Sequence, residues 1–258
     1  MFHVHPVAAF ADNYLWVIHN NRHAVLVDPG DAQPILDYLA AKHLTLTAIL
    51  CTHHHADHVG GVEAILDFLQ VRGKIPVYGP ASERIPARTH ALGEGDRISL
   101  PELALSLDVL DVPGHTAGHI AYLGHDLLFC GDTLFACGCG RLFEGTPQQM
   151  TDSLAKLKRL PGHTRVFCAH EYTMANIKFA EAVEPGNADL KLRKAFCAAK
   201  RHRNEPTVPS TIALELATNP FLRWDCAAVI AAAEHRAGRA LKTDNEIFAT
   251  IREWKNNF

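Results

Sequence analysis

Short apolar runs broken by turn signals occupy the first two thirds of the chain, and longer stretches of helical periodicity follow them. Residues 14–18 and 24–27 have the composition of strands, and the second ends at the turn Asp28-Pro29-Gly30. From about 33 to 42 the apolar residues fall at Ile35, Leu36, Leu39 and Ala40, the spacing of an amphipathic helix. Residues 48–51 predict a buried strand that runs into a histidine cluster, and helical periodicity returns over 62–69. Further strands are predicted at 75–78, 103–112, 120–123, 127–130 and 165–168, with a helix between Pro147 and Leu160. Beyond His170 the pattern becomes helix after helix: 174–182, 190–203, 210–217, 227–236 and 244–254. Pro185, Gly186, Pro206, Pro209 and Pro220 punctuate these. The pattern predicts a mixed α/β domain over 1–168 and a helical domain over 169–258.

Composition narrows the class without naming it. The chain has 258 residues, 48% of them hydrophobic and 21% charged, which suits a folded protein with a sizeable core. No apolar run approaches the roughly 20 residues needed to cross a bilayer, and the opening Met1-Phe2-His3-Val4-His5-Pro6 lacks the marks of a secretory signal, so a cytoplasmic location is expected. A formal net charge of −3 offers no general attraction for nucleic acid or anionic lipid. An anionic substrate would have to be held by a local patch of basic residues. Seven cysteines, an odd number in a chain of this size, favour reduced thiols, and Cys137-Gly138-Cys139 reads as a tight glycine-containing loop.

Seventeen histidines are informative only through their placement. Four predicted strands each run into a residue of metal-ligand type. His53 follows 48–51; His115 follows Leu110-Asp111-Val112-Pro113-Gly114; Asp132 follows Leu128-Phe129-Cys130-Gly131; His170 follows Val166-Phe167-Cys168-Ala169. Strand ends are where a rigid sheet can aim side chains that need not pack. The segment from Thr52 to His58 adds His55, Asp57 and His58 to His53, a mixture of imidazole and carboxylate suited to zinc, iron or manganese. Alternation places His53 and His55 on one side, with Asp57 and His58 past the turn, so one segment can feed two metals. Asp57 has a second reading as a helix N-cap. Gly60-Gly61 allows close approach of backbone.

The H-x-H-x-D-H string of His53, His55, Asp57 and His58, followed by an isolated His, an Asp and a final His, resembles the metallo-β-lactamase superfamily. That resemblance implies an αββα sandwich followed by a smaller all-helical domain, with two divalent metal ions at one edge of the two sheets. It places His53, His55 and His115 on the first metal, Asp57, His58 and His170 on the second, and Asp132 on both. His54 lies between ligands and is not one. Zinc leads among the metals the donors suit, with iron and manganese also accommodated.

Other segments narrow the resemblance. Gly131-Asp132-Thr133-Leu134-Phe135, Gly138-Cys139-Gly140-Arg141, Phe143-Glu144-Gly145-Thr146, His170-Glu171-Tyr172-Thr173, Asn176-Ile177-Lys178-Phe179-Ala180 and Val183-Glu184-Pro185-Gly186-Asn187 are similar to the glyoxalase II, or hydroxyacylglutathione hydrolase, family. Glu205 to Thr211 and Asn219-Pro220-Phe221 extend the likeness into the helical part. It implies contacts to a glutathione moiety from Arg141, Tyr172, Arg252 and Lys255. Glutathione carries two carboxylates that a net acidic protein must meet with fixed cations, and Arg252 and Lys255 share one helix face by spacing. Phe143 departs from the aromatic hydroxyl of many relatives and cannot donate a hydrogen bond.

The implied reaction is hydrolysis of S-(2-hydroxyacyl)glutathione, typically S-D-lactoylglutathione to D-lactate and glutathione, the second step of methylglyoxal detoxification. A hydroxide held between the two metals would be the nucleophile, with Asp57 and Asp132 as its catalytic carboxylates. The expected partner is the small-molecule thioester, with no nucleic acid or membrane, and the expected state is a monomer. Two alternatives stand beside this reading: glutathione persulfide dioxygenase, for which three protein ligands suffice, and lactone or β-lactam hydrolysis.

Overall fold

A computed structural model describes residues 2–258. They form two compact units, one of residues up to Asp111 with Gly118–Gly131, the other of Val112–Ala117 with Asp132–Phe258.

In the first unit, β1 (His3–Ala9), β2 (Asn13–His19), β3 (His23–Val27), β4 (Thr45–Leu50), β5 (Val77–Pro80) and β6 (His90–Leu92) lie side by side in chain order. The pairing is antiparallel from β1 to β3 and parallel from β3 to β6. Helix α1 (Ala32–Ala41) makes the crossover from β3 to β4, and α2 (Ala56–Val59) and α3 (Val62–Phe68) that from β4 to β5, while β5 joins β6 by a loop. Alternation sends Leu15, Val17, Ala24, Leu26 and Ile49 to one face, where they pack with Ile35, Leu36 and Leu39 of α1 and Val62, Ile65 and Leu66 of α3. Trp16, Ile18, Val25, Val27 and Leu50 point the other way and are buried too. The sheet is therefore covered on both faces.

A second sheet in the same unit is an antiparallel meander of β7 (Arg97–Leu100), β8 (Leu105–Asp111), β9 (Ile120–Gly124) and β10 (Leu127–Gly131). Every second residue from Leu105 to Val109 is buried, as a strand with one apolar face requires. The Tyr122 hydroxyl donates to the Cys51 carbonyl at 2.9 Å, and Asn20 Nδ2 donates to the Glu102 carbonyl at 2.7 Å, tying the two sheets together. The helix and sheet layers of the predicted α/β sandwich are present.

Three local expectations are corrected. β1 carried no strand signal, because His3, His5 and Pro6 break the apolar run; its alternating exposure is that of an edge strand, where proline is tolerated. The strand predicted over 103–112 begins only at Leu105. A single 3₁₀ turn occupies Pro101–Leu103, and Ala104 adopts a left-handed φ of 50° that interrupts the extended run. The helix predicted over 210–217 starts with a strand, Ser210–Thr211, because Thr211 is the extended N-cap whose hydroxyl accepts from Leu214 N.

The second unit contains a small hairpin of β11 (Leu134–Phe135) and β12 (Gly138–Cys139), and an antiparallel pair of β13 (Arg165–Cys168) with β14 (Ser210–Thr211). Its helices are α4 (Pro147–Lys158), α5 (Thr173–Val183), α6 (Ala188–His202), α7 (Ile212–Thr218), α8 (Ala227–Ala237) and α9 (Asp244–Asn256). A capping box of Thr146 and Gln149 starts α4, and Asn187 and Thr243 cap α6 and α9. Phe179, Phe221 and Phe248 form a ring cluster, with centroids 6.0 Å and 5.8 Å apart. Beside it lies a buried ion pair. The Glu215 carboxylate, fully shielded from solvent, accepts from Arg193, Ser210, Cys137 N and Asn219. Asn219 Nδ2 also reaches the carbonyls of Phe135 and Gly138, so this network braces the β11–β12 hairpin.

All seven cysteines are free thiols, six of them buried. Burial pushes the Cys137 and Cys168 thiols up to about 12, and it raises Cys51, Cys139 and Cys197 as well. Among the described residues no helix is long and apolar enough to cross a membrane.

Candidate metal centre and substrate cavity

The first unit carries four of the expected donors. β4 ends at Leu50 and the chain bends at Thr52 and His53, with His53 Nε2 within 3.1 Å of His55 Nδ1. His55 then becomes the N-cap of α2, and Asp57 sits inside the first turn, where the helix dipole favours a carboxylate. The capping reading of Asp57 is thus corrected: the position belongs to His55. Asp57 Oδ2 lies 3.5 Å from His58 Nε2 and accepts from Asn13 Nδ2 at 3.0 Å. The outward nitrogens have partners too. His58 Nδ1 is 3.0 Å from Asp28 Oδ2, and His53 Nδ1 is 3.1 Å from the Thr52 hydroxyl.

Glycine allows this turn to close. A Cβ on Gly30 would stand 1.7 Å from the Asp57 carbonyl oxygen, and one on Gly61 would stand 2.6 Å from the Pro29 carbonyl. His54 has a different partner, its Nδ1 lying 2.9 Å from Glu83 Oε2.

The second unit carries the other three donors, all buried. Asp132 presents Oδ2 to His115 Nε2 and Oδ1 to His170 Nε2, each at 3.4 Å. His115 Nδ1 lies 2.9 Å from the Arg141 carbonyl and donates to it, which leaves Nε2 with its lone pair toward Asp132. A Cβ on Gly140 would come within 2.0 Å of the Asp132 carbonyl oxygen and 3.1 Å of His115 Nδ1.

These spacings test whether the donors fit a metal. Nitrogen and oxygen ligands bind zinc at about 2.0–2.2 Å, so two ligands at tetrahedral positions around one ion are roughly 3.4 Å apart. The 3.4 Å and 3.5 Å separations of Asp132 and Asp57 from their histidines match that figure, and 3.4 Å is long for a charged hydrogen bond. The donor set fits.

All five expected substrate contacts are in the second unit. Arg141, Phe143, Tyr172, Arg252 and Lys255 line one cavity of about 480 Å³, together with His115, Asp132, Phe135, Cys139 and Asn176. The Tyr172 ring stacks on His170 at 4.6 Å and 5°, and Phe143 meets His115 edge-on at 5.2 Å. Both aromatic rings are exposed at the cavity, Phe143 by 64%. Arg252 is buried, donating to the Cys139 carbonyl at 2.9 Å with its guanidinium over Phe221. Lys255 donates to Asn176 Oδ1 and lies over the rings of Phe179 and Phe221. Burial, and next the charge of Arg252, hold its ammonium down at about 8.

Known proteins can be set beside this geometry. The sequence model of the Metallo-beta-lactamase superfamily matches residues 11–170, and that of the Hydroxyacylglutathione hydrolase C-terminus matches 171–258. A hydroxyacylglutathione hydrolase from Nitrosomonas europaea is 56% identical over all of this chain and 97% of its own. This chain belongs to the hydroxyacylglutathione hydrolase family. Its members share the metallo-β-lactamase fold, and two solved structures display it. ETHE1 from Myxococcus xanthus aligns with a TM-score of 0.66 at 25% identity, covering 98% of this chain and 91% of that one. TTHA1623, solved in a di-iron-bound form, aligns at 0.59 with 27% identity, covering 84% and 100%.

Four residues around the donors escaped sequence reasoning: Asp28, Asn13, Glu83 and His119. Asp28 reads as part of a turn, and Asn13 and Glu83 lie 44 and 29 residues from the side chains they meet. His119 is wholly buried, its ring stacked on that of His53 at 4.5 Å and 20°. No spacing marks it.

Proposed function

We propose that the chain hydrolyses S-(2-hydroxyacyl)glutathione thioesters, S-D-lactoylglutathione among them, to the hydroxy acid and glutathione, using two divalent metal ions. The observation that carries this reading is the cavity: its wall includes His115 and Asp132 at one place and the cations Arg141, Arg252 and Lys255 at another. Metal donors and carboxylate-binding cations thereby face one substrate. Asp132 turns one oxygen toward His115 and the other toward His170, which supports a role for it toward both ions. His53, His55 and His115 would hold the first, Asp57, His58 and His170 the second.

Two such ions, when bound, supply a hydroxide nucleophile at neutral pH and a Lewis acid for the thioester carbonyl. The chain does the rest. Arg141, Arg252 and Lys255 meet the two glutathione carboxylates with charge-assisted hydrogen bonds, and Tyr172 and Phe143 flank the cavity with their rings. Phe143 contributes packing alone, since it has no hydroxyl to donate. Departure of a thiolate needs little general acid.

The division of labour we propose follows the chain: residues 1–168 supply all donors except His170, and 169–258 supply Tyr172, Arg252 and Lys255. Zinc is the first candidate metal; the di-iron form of TTHA1623 supports iron as a further occupant of such a site. A monomeric, cytoplasmic enzyme is the accompanying expectation. The test is turnover of S-D-lactoylglutathione beside a β-lactam and glutathione persulfide, with metal analysis of the same sample. Thioester turnover with about two metals per chain is expected. No thioester turnover by the metal-loaded protein would refute the proposal.

A further inference from the structure

Asp28 lies outside the assigned donor set, yet it reaches two of its histidines by separate routes. Its Oδ2 is 3.0 Å from His58 Nδ1, and the same oxygen accepts from the Thr52 hydroxyl at 2.7 Å. Thr52 Oγ1 in turn is 3.1 Å from His53 Nδ1, and Thr52 N donates to Asp28 Oδ1 at 2.7 Å. All four residues are at most 3% exposed, so hydrogen bonds within the group replace those to bulk solvent.

Proton counting fixes the direction of each bond. A carboxylate only accepts, so the single Thr52 hydroxyl proton goes to Asp28, and Thr52 is left to accept from His53 Nδ1–H. His58 must likewise donate its Nδ1–H to Asp28. Both imidazoles then carry their lone pair on Nε2, the atom that faces His55 in one case and Asp57 in the other. The backbone is shaped to hold this arrangement. Asp28 adopts a left-handed φ of 50°, and Gly131, at φ 47°, leaves room where a Cβ would stand 2.3 Å from Thr52 Oγ1.

We propose that Asp28 is a shared positioning residue for both metals, setting the tautomer of His58 directly and that of His53 through Thr52. This rests on the two-metal reading, in which His53 and His58 serve different ions. It yields an asymmetric expectation: Thr52 governs one ion, Asp28 both.

The experiment is chelator competition from zinc-loaded wild type, Thr52→Val, Thr52→Ser and Asp28→Ala, resolving two dissociation constants. Nitrogen-15 histidine spectra of the loaded wild type accompany it. Thr52→Val should weaken one ion roughly 10- to 100-fold, the range for lost outer-shell partners, and leave the other unchanged. Asp28→Ala should weaken both by that factor, and Thr52→Ser, which keeps the hydroxyl, should restore wild-type binding. The spectra should show Nδ1 protonated in both His53 and His58. Unchanged constants in both Thr52→Val and Asp28→Ala, equal weakening of both ions by Thr52→Val, or a proton on Nε2 of either histidine would overturn the proposal. The spectra use the unaltered chain, so an Asp28→Ala protein that does not fold leaves the test standing. A wild type that binds fewer than two ions refutes the two-metal reading itself, which distinguishes the two failures.

Discussion

Lys255 offers a pH signature that separates substrate binding from chemistry. With its ammonium held near 8 by burial and by Arg252, it is about nine tenths charged at pH 7 and about one tenth at pH 9. If the charged form binds a glutathione carboxylate, the apparent KM should rise roughly tenfold across that interval, in proportion to the charged fraction. Full loss of a charged hydrogen bond, about 1.5–3 kcal/mol, sets a ceiling of roughly 10- to 100-fold. Because Lys255 lines the cavity, where it donates to Asn176 and lies over Phe179 and Phe221, its titration is expected to act on substrate binding, and kcat should stay level. The assay is loss of thioester absorbance from pH 6 to 9.5, corrected for uncatalysed hydrolysis. Lys255→Arg keeps its charge throughout and should flatten the rise. Parallel KM profiles for wild type and Lys255→Arg, or a fall in kcat in place of the rise in KM, would refute this role. Stability should respond in the same window. The unfolded chain holds this proton up to about 10.4 while the native chain releases it near 8, so the Lys255 contribution to stability increases as pH climbs between those values. Lys255→Met should accordingly raise the melting temperature most at neutral pH, and its advantage should shrink toward pH 10.

Three further outcomes are expected. Asp132→Ala removes both carboxylate oxygens from His115 and His170 and should reduce metal content and lower kcat more than roughly a hundredfold, beyond the range for outer-shell partners; full two-metal occupancy with undiminished turnover would contradict the bridging role. Glu215→Ala strands the buried Arg193 charge and should cost about 3–5 kcal/mol by chemical denaturation, and a loss under 1 kcal/mol would show the pair to be unimportant. Gly140→Ala forces a methyl against the Asp132 carbonyl and His115, and should lower metal content measured by elemental analysis more than it lowers the melting temperature.

The candidate donors could be picked out of the sequence because metal binding constrains residue type, order and spacing together. His53, His55, Asp57 and His58 fall in one short segment, and His115, Asp132 and His170 each follow an apolar strand. The buried strands of the first unit were equally plain, since Val25, Leu26, Ile49 and Leu50 have no other apolar environment to seek. β1 was not, because an edge strand with Pro6 and alternating histidines carries little apolar signal. The break before β8 was hidden because one left-handed residue, Ala104, leaves no trace in composition. The supports of the site were the least visible part. Asp28 meets His58 across 30 positions and His54 meets Glu83 across 29, and such pairs exist only once the sheet has brought distant loops together. Spacing rules see partners along a helix or strand; they cannot see across a fold.

The six buried thiols bear on how such an enzyme could live with its own product. Glutathione released at the cavity is half of a redox couple whose oxidised form captures exposed thiolates as mixed disulfides. Exchange requires a thiolate that the disulfide can reach, whereas Cys137 is wholly buried, Cys139 in the cavity wall is only 3% exposed, and burial raises both thiols above their ordinary range. Cys226 alone is partly exposed, and it caps α8 outside the residues that line the cavity. Oxidative stress that converts glutathione to its disulfide therefore meets a cavity whose one lining thiol, Cys139, is nearly enclosed and kept protonated, and turnover should persist under conditions that silence enzymes with accessible thiolates.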